Sequence, residues 1–450
     1  MVPADPTLRL REVPWPALRG LQDAACAAIA ETLRGAPAER VVDRLLRAHR
    51  SLTRDQRAAL VEAVFGVALW RRRLVSLTFV IDECQPRSAA LLLAALLRDL
   101  AGLRDAEAAA LAGLTEGELQ PRRIAPVTLA LRWSLPDWIA ACLQREVAGE
   151  ADALCAALNA PGPICLRANT LRLSREALQQ RLAGEGLRTQ LTRWSPLGLH
   201  VLEARPNLLG LGAQREALFE VQDEGSQLVG LLTDARPGQR VLDFCAGAGG
   251  KTLLLAGELG GEGELHAHDV DQGRLLRLER RAARAGVEGL RVHRAPPPAG
   301  LRFDRVLVDA PCSELGALRR GPDARFLLRE EAVLALPALQ GQLLARAAVH
   351  VGAGGRLVYA TCTLRREENE EVVEAFLRAH PSFALRRAWA PWLEPSMLRG
   401  DYFLCLPHRH GTDGFFAAVM GLGVEDIEWP TTRRSPSTSP PAPPPGAPTS

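Results

Sequence analysis

The sequence is poor in several features, and each scarcity excludes a class of protein. Its nine cysteines form no C-x-x-C pair and have no histidine cluster beside them, which argues against a disulfide framework and against a zinc site. No apolar run approaches the roughly 20 residues that a membrane crossing needs. Charged residues interrupt the start of the chain, so we expect no secretion signal. These features predict a cytoplasmic protein that binds neither a membrane nor a metal.

Lysine is the scarcest basic residue. Among 55 lysines and arginines there is a single lysine, Lys251. Abundant Ala, Gly, Leu and Pro are typical of a G+C-rich genome, in which drift exchanges lysine for arginine. A lysine that persists indicates a position where a guanidinium cannot replace an ammonium. The net charge of +3 is only a weak indication of a nucleic-acid partner.

The 450 residues are too many for one ordinary domain, and their patterns divide them further. Residues 1–155 carry apolar side chains at three- and four-residue spacing, which predicts a helical domain. Within it, the triplet Arg71–Arg73 is interpreted as a solvated helix end or, alternatively, as an RNA contact. Residues 160–225 alternate short strands with a helix capped by Ser174 and predict a small α+β module. Residues 423–450 are mainly Pro, Ser, Thr and Ala and predict a disordered tail.

Residues 226–422 alternate strand-like runs with helices. This alternation predicts an α/β fold, a doubly wound Rossmann-like sheet that binds ligands beyond the carboxyl ends of its strands. Strand-like runs end at Cys245, Asp269, Asp309 and Thr361-Cys362. We therefore expect these side chains to share one site.

A glycine-rich turn follows the first of these strands. It contains, in order, Cys245, Ala246, Gly247, Ala248, Gly249, Gly250 and Lys251. Glycines let the backbone approach a ligand closely and leave N–H groups free. A Walker A phosphate loop is one interpretation, but Cys245 stands where that motif needs glycine. A loop for a nucleoside cofactor is the other, and it predicts a ribose-binding acid at the end of the next strand, where Asp269 lies.

Two further strand ends carry a thiol. Asp309-Ala310-Pro311-Cys312 follows one apolar run, and Tyr359-Ala360-Thr361-Cys362 ends a later one. A cysteine at a single strand end is more often a packing residue than a catalyst. Two of them at the same ligand edge reverse this expectation and indicate catalysis.

These segments resemble the RNA cytosine-5 methyltransferases of the Nol/Nop/Sun family, whose bacterial members include enzymes of small-subunit ribosomal RNA. The resemblance covers nearly the whole chain except the tail. Besides the loop and the two cysteine motifs, it includes a segment like the RNA-binding module (Leu166–Leu171), the start of the catalytic domain (Phe219–Gln227) and its closing strand (Gly411–Phe416). The N-terminal helices resemble the NusB-like domain of some bacterial members.

The resemblance implies a cofactor, a partner and a role for each site residue. The cofactor is S-adenosylmethionine, bound by Cys245–Lys251, Asp269 and Asp309, and the partner of this monomeric enzyme is RNA, in particular ribosomal RNA. Cys362 is the thiolate that adds to carbon 6 of cytosine, Asp309 hydrogen-bonds the base, and Cys312 serves the release step. The base must be unstacked to be reached. In DNA cytosine-5 methyltransferases the Pro-Cys thiol is itself the nucleophile, so the additional Thr-Cys motif favours RNA.

Two positions depart from the family pattern. The family places an acid that contacts adenine after its third strand, where this chain has His293. Glu314 stands where the family commonly has glycine, and a carboxylate near RNA phosphates is unfavourable unless Arg319 or Arg320 pairs with it.

Three interpretations remain open beside this one. The same fold could methylate transfer RNA or DNA, or the chain could be an RNA-binding assembly factor with poor turnover.

Four acids follow Cys362 and are interpreted as the first turns of a helix, where they suit the helix dipole: Glu367, Glu368, Glu370 and Glu371. Asn369 among them is a candidate support for the loop of Cys362.

Overall fold

The structure, a computed structural model, describes residues 5–78, 80, 82–83, 85–119, 128–203, 206–321 and 323–423. The tail that composition predicts to be disordered lies outside these ranges, apart from residue 423. Within them, no helix is both long and apolar enough to cross a membrane. Nor do three or more His, Cys, Asp or Glu side chains of these residues group in a way that could hold a metal ion.

The N-terminal part of the described chain consists of helices. They are α1 (Gln22–Leu33), α2 (Ala38–Ala48), α3 (Arg54–Leu77), α4 (Pro86–Ala95), α5 (Asp105–Leu111), α6 (Leu129–Arg132), α7 (Asp137–Glu146) and α8 (Ala151–Asn159). α3 begins where Thr53 and Gln56 form a reciprocal capping box. It buries Leu60, Val64 and Val67, at the three- and four-residue spacing that the sequence shows.

The three arginines near the end of α3 form contacts within this helical part. Arg71 pairs with Glu83 at 2.5 Å, and Arg72 pairs with Asp137 at 2.7 Å. Arg73 donates to a backbone carbonyl at 3.3 Å. The triplet therefore holds helices and loops together, and neither sequence interpretation of it describes this role.

A small α+β module follows. It consists of β1 (Cys165–Ala168), α9 (Arg175–Gly184), β2 (Thr189–Leu191), β3 (Gly198–Val201), α10 (Gly212–Arg215) and β4 (Phe219–Val221). The strands form an antiparallel sheet in the order β2-β3-β1-β4. Ser174 caps α9 as predicted, because its side chain accepts from Ala177 N at 3.1 Å. The Asn169 amide donates to the carbonyl of Ala285 at 2.9 Å, which ties the module to the α/β part that follows it in the chain.

The remaining described residues form the α/β part. Its elements are α11 (Glu224–Leu232), β5 (Arg240–Asp243), α12 (Gly250–Leu259), β6 (Glu264–His268), α13 (Gln272–Ala285), β7 (Arg291–His293), β8 (Phe303–Asp309), α14 (Ala324–Leu327), α15 (Glu330–Leu334), α16 (Leu336–Ala348), β9 (Val351–Thr361), α17 (Glu370–Ala379), β10 (Phe383–Arg386), β11 (Leu398–Arg399), β12 (Tyr402–Cys405), α18 (Pro407–His410) and β13 (Phe415–Leu422). The sheet order is β11-β12-β13-β9-β8-β5-β6-β7, and β10 pairs with β13.

The predicted doubly wound sheet is confirmed. β5 to β9 pair in parallel, whereas β13 pairs antiparallel with β9. The short strands β10, β11 and β12 were not predicted from the sequence. α15 and α16 follow each other directly, separated at Ala335, and Pro337 stands in the first turn of α16, where a missing N–H costs nothing.

Candidate active site

The strand ends singled out from the sequence meet at one edge of the sheet. β5, β6, β8 and β9 are parallel neighbours, so their carboxyl ends lie together. They open onto a cavity of about 450 Å³. Its walls include Cys245, Asp269, Asp309, Cys312 and Cys362. The sequence therefore predicted the position of the site and these wall residues.

The glycine-rich turn forms one wall of this cavity. Gly249 has φ +89°, and a Cβ there would lie 2.2 Å from a methyl carbon of Leu278, so no side chain fits. The N–H of Gly247 donates to Asp269 Oδ2 at 2.8 Å, so the strand-end acid also fixes the turn. Cys245 lies in the turn, and burial raises the pKa of its thiol above the usual range. A neutral thiol at Cys245 is a poor nucleophile.

Lys251 lies at the start of α12 and contacts both the turn and the catalytic strands. Its Nζ donates to Asp309 Oδ2 at 2.7 Å and lies 5.2 Å from the ring centre of Phe415. The side chain is only 7% exposed, which leaves little space for a larger head group. A compact ammonium suits this place better than a planar guanidinium, in agreement with the persistence of this lysine.

Asp243 is a buried acid next to the cavity wall that the sequence did not single out. It is buried at the end of β5, where Oδ2 accepts from the Thr252 hydroxyl at 2.7 Å. Oδ1 has no hydrogen-bond partner among the described residues. Burial raises the pKa of this carboxyl to about 7. An acid on the strand directly before the glycine-rich turn was the signal that could have indicated it.

The thiols of Cys312 and Cys362 are in direct contact. Their Sγ atoms lie 3.4 Å apart, although 50 residues separate them in the chain. The contact follows from the register of the sheet, in which Asp309 of β8 pairs with Ala360 of β9. The hydrogen bond with Cys312, followed by burial, holds the pKa of the Cys362 thiol well above its usual range. Both sulfurs are therefore reached from one cavity, and Cys362 rests as a neutral thiol.

Backbone hydrogen bonds hold the two cysteine loops against each other. Gly316 N donates to the carbonyl of Cys362 at 2.9 Å, and Gly414 N donates to the carbonyl of Gly316 at 2.8 Å. A Cβ at Gly316 would lie 2.3 Å from the Gly414 oxygen. The close approach of these segments therefore requires glycine at this position.

Glu368 ties the same two loops together through side chains. Its buried carboxylate accepts from Ser313, next to Cys312, and from Gln340 at 3.0 Å. Arg365, on the loop of Cys362, donates to it at 3.4 Å. The interpretation of Glu368 as an acid that only suits a helix dipole is therefore wrong. It lies in a short 3-10 turn (Arg366–Glu368) that precedes α17 and points inward.

Asn369 supports the loop of Cys362, as the sequence interpretation suggested. Its Oδ1 accepts from the Thr361 hydroxyl at 2.6 Å, and its Nδ2 donates to the Thr363 carbonyl at 3.1 Å. The amide is buried and bridges the residues on either side of Cys362. Such a bridge fixes the direction in which the thiol points.

The structure gives a physical account of both departures from the family pattern. Glu314 has φ +57°, a left-handed conformation that favours glycine, and it lines the cavity. Arg319 and Arg320 do not pair with it, because both bind Asp413.

At the other departure, the ring of His293 accepts or donates a hydrogen bond with His266 at 2.8 Å. Its backbone carbonyl binds His268 Nδ1 at 2.9 Å. His268 lines the cavity. Histidines therefore occupy the region where the family has an acid.

A Rossmann-like sheet that carries a glycine-rich turn and two contacting thiols at one edge is the arrangement of a methyltransferase. The family model "16S rRNA methyltransferase RsmB/F" matches residues 231–421. A ferredoxin-like domain model of the same family matches residues 135–207. The chain belongs to the RsmB/F family of ribosomal RNA methyltransferases.

Relatives and solved structures agree with this assignment. A probable ribosomal RNA small subunit methyltransferase B of Synechocystis is 33% identical over 306 residues, which are 65% of this chain and 68% of that protein. The ribosomal RNA small subunit methyltransferase B of Pseudomonas putida is 34% identical over 295 residues, 64% of this chain and 67% of that one. The crystal structure of PH0851 superposes with a TM-score of 0.74 at 26% identity, over 90% of this chain and 98% of that chain. A methyltransferase homologue from Pyrococcus horikoshii gives a TM-score of 0.56 at 26% identity, over 65% and 97%.

Proposed function

We propose that this protein transfers the methyl group of S-adenosylmethionine to carbon 5 of cytosine in ribosomal RNA, through a covalent adduct of Cys362. The observation that carries the proposal is the contact between Cys312 and Cys362, at 3.4 Å between their sulfurs. Two thiols in contact suit a reaction that has a separate attack and a separate release. A single packing cysteine would explain neither the contact nor its place in the cavity.

The cavity fits the cofactor in size and in chemistry. Its volume of about 450 Å³ lies within the usual range for small-ligand sites. Gly247, at φ +55°, lines the cavity with its backbone, and the carboxylate of Asp269, which also lines it, would accept from ribose hydroxyls. The unpartnered Oδ1 of Asp243 adds an acceptor beneath the turn. When bound, S-adenosylmethionine supplies an electrophilic methyl group on a positively charged sulfur.

Carbon 5 of cytosine is too poor a nucleophile to take this methyl unaided. Cys362 gives up its thiol proton, which passes by way of the Asp309 carboxylate to N3 of the base, as its sulfur adds to carbon 6. The electron pair of the 5,6 double bond then becomes available at carbon 5 for attack on the methyl group. Asp309 hydrogen-bonds the N3/N4 edge of the base and stabilises the charge that develops there. Lys251 holds the carboxylate of Asp309 in place at 2.7 Å.

Release reverses the addition. A base removes the proton from carbon 5, its bonding pair restores the double bond, and Cys362 leaves as the thiolate. The thiol of Cys312 lies within hydrogen-bonding distance of Cys362 and stabilises the departing sulfur by donating its proton to it. The raised pKa of Cys362 favours the return to a neutral thiol.

The test uses three single cysteine variants of the full chain. Cys362→Ala abolishes methyl transfer, whereas Cys312→Ala traps a covalent RNA–protein adduct that survives a denaturing gel. Cys26→Ala, at a half-buried cysteine of the helical part, is the control and behaves like the parent. Bisulfite sequencing of total RNA from cells with and without the gene then identifies the modified cytosine and its RNA.

Each other outcome contradicts a different part of the proposal. Normal methylation by both active-site variants would reject the covalent mechanism. Modified cytosines in transfer RNA or DNA would reject ribosomal RNA as the substrate. RNA binding without methyl transfer by the parent protein would favour the assembly-factor alternative.

A further inference from the structure

The helix α13 carries an arginine-rich outer face beside the candidate active site. Its inner face buries Leu275 and Leu278 against the glycine-rich turn and the sheet. Arg277, Arg280 and Arg284 are exposed and follow one another at three- and four-residue spacing. They therefore present three positive charges along one side of the helix.

None of these three guanidiniums lies within ion-pair distance of an acid among the described residues, although the charge of Asp271 acts on Arg277 as well as on Arg274. Three acids on or against α13 pair with other arginines: Asp271 with Arg274, Glu220 with Arg281 and Glu279 with Arg294. Within the described part of the chain, Arg277, Arg280 and Arg284 form no ion pair. Their charges are thus available to an external anion.

The arginine-rich face of α13 begins beside the cavity. Arg274, one turn before Arg277, lines the cavity that holds the two thiols. Arg281 donates to the carbonyl of Ala248 in the glycine-rich turn. An anion bound along this face of α13 therefore lies next to the site of chemistry.

The other end of this arginine-rich face contacts the small α+β module. Arg172 of that module donates to the carbonyls of Arg284 and Ala285 at 3.0 and 3.2 Å, which occupies the C-terminal end of α13. From Arg274 to Arg284 the helix rises about 15 Å, a length that spans about four phosphates at a spacing of about 3.4 Å along one strand.

We propose that Arg277, Arg280 and Arg284 form a track that binds the phosphates of the RNA strand next to the target cytosine. α13 contains no aromatic residue on which a base could stack, so the track holds the backbone and carries no sequence information. The inference rests on the proposed function only in taking RNA as the substrate. It assigns base recognition to the cavity and strand positioning to α13.

The test measures RNA affinity against salt for a charge-removal variant, Arg277→Gln/Arg280→Gln/Arg284→Gln. Each lost phosphate contact lowers the slope of log K against log salt by about 0.7 for single-stranded RNA, so the triple variant loses about 2 units of slope. A matched control removes the same charge at three other exposed arginines that form no ion pair with a described residue: Arg302, Arg378 and Arg387. All proteins in the binding assay carry Cys362→Ala, so that no adduct forms.

An unchanged slope in the α13 variant, or an equal loss in the control, would overturn the proposal. Methylation is measured separately with proteins that retain Cys362: the α13 variant has a raised KM for RNA, whereas the control variant at Arg302, Arg378 and Arg387 keeps the KM of the parent. If the parent does not methylate but the slopes differ, the track stands and the proposed reaction falls. If the parent methylates and the slopes agree, only the track falls.

Discussion

The carboxylate of Glu368 accepts two hydrogen bonds from Ser313, one from the backbone N–H at 2.9 Å and one from the hydroxyl at 2.6 Å. Ser313 follows Cys312 directly, whereas Glu368 lies on the segment that follows Cys362. A single buried carboxylate therefore sets how far apart the two thiols lie. Bonds of this kind are strong because the acceptor is ionised and shielded from water.

Glu368→Gln should slow methyl transfer without unfolding the protein. The amide keeps one acceptor but turns an N–H₂ group toward donors of Ser313 or Gln340, which pushes the cysteine loops apart. A displacement of about 1 Å between reacting groups costs about 100-fold in rate. We expect single-turnover methylation to fall about 10- to 100-fold, with cofactor affinity unchanged. Glu371→Gln, at an exposed acid in the first turn of α17, is the control, and equal rates for the two variants would contradict the role.

Lys251→Arg should lose most of its activity although it keeps the charge. The ammonium lies 2.7 Å from Asp309 and under the ring of Phe415, and only 7% of the side chain is exposed. A guanidinium there displaces either Asp309 or the ring, so we expect at least about a tenfold loss of kcat. Arg378→Lys, the reverse exchange at an exposed position, leaves the rate unchanged. If the activity of Lys251→Arg lies within twofold of the parent, the persistence of lysine at this position has no catalytic reason.

The sequence predicted the site because strand ends in a parallel sheet converge. Cys245, Asp309, Cys312 and Cys362 each follow a strand, and one topological rule places them at one edge. Glu368 obeys no such rule. Its pattern, an acid among acids before a helix, is that of an exposed N-terminal turn, and only the packed structure shows that it faces inward.

The arginines illustrate the same limit. The triplet Arg71–Arg73 stands out in the sequence, but its charges bind acids and a carbonyl within the helical part. On α13 the arginines are scattered among other residues, and pairing with acids distant in sequence decides which of them stay available. Arg281, for example, pairs with Glu220, 61 residues earlier. Composition and spacing report a charge but not its partner.

Asp243→Asn should change how stability depends on pH. Burial raises the pKa of Asp243 to about 7, whereas an unfolded aspartate has a pKa of about 3.9. Between these values the unfolded chain releases a proton that the folded protein keeps, so this group lowers the free energy of unfolding as pH rises from about 4 to 7. Asparagine does not titrate, and its oxygen still accepts from the Thr252 hydroxyl.

The gain in stability of Asp243→Asn over the parent should therefore be larger at pH 8 than at pH 5. Urea unfolding of both proteins at the two pH values measures it. Asp401→Asn, at an exposed position, serves as the control. A difference between variant and parent that does not change with pH would show that Asp243 is ionised throughout.

Arg325 should hold the helical part to the catalytic part, and Arg325→Met should loosen this junction. Its guanidinium is fully buried and donates to Asn159 Oδ1 at 2.5 Å and to the carbonyls of Leu158 and Trp133 at 3.4 Å. These acceptors lie at the C-terminal ends of α8 and α6, where helix dipoles favour a cation. Methionine fills a similar volume but leaves Asn159 Oδ1 buried without this donor, at a cost of about 1–3 kcal/mol. The Trp133 carbonyl still accepts from Asn159 Nδ2 at 2.9 Å. We expect a melting temperature several degrees lower and faster proteolytic cleavage between α8 and β1. Arg329→Met, at an exposed arginine, should change neither, and equal behaviour of the two variants would show that Arg325 does not hold the junction.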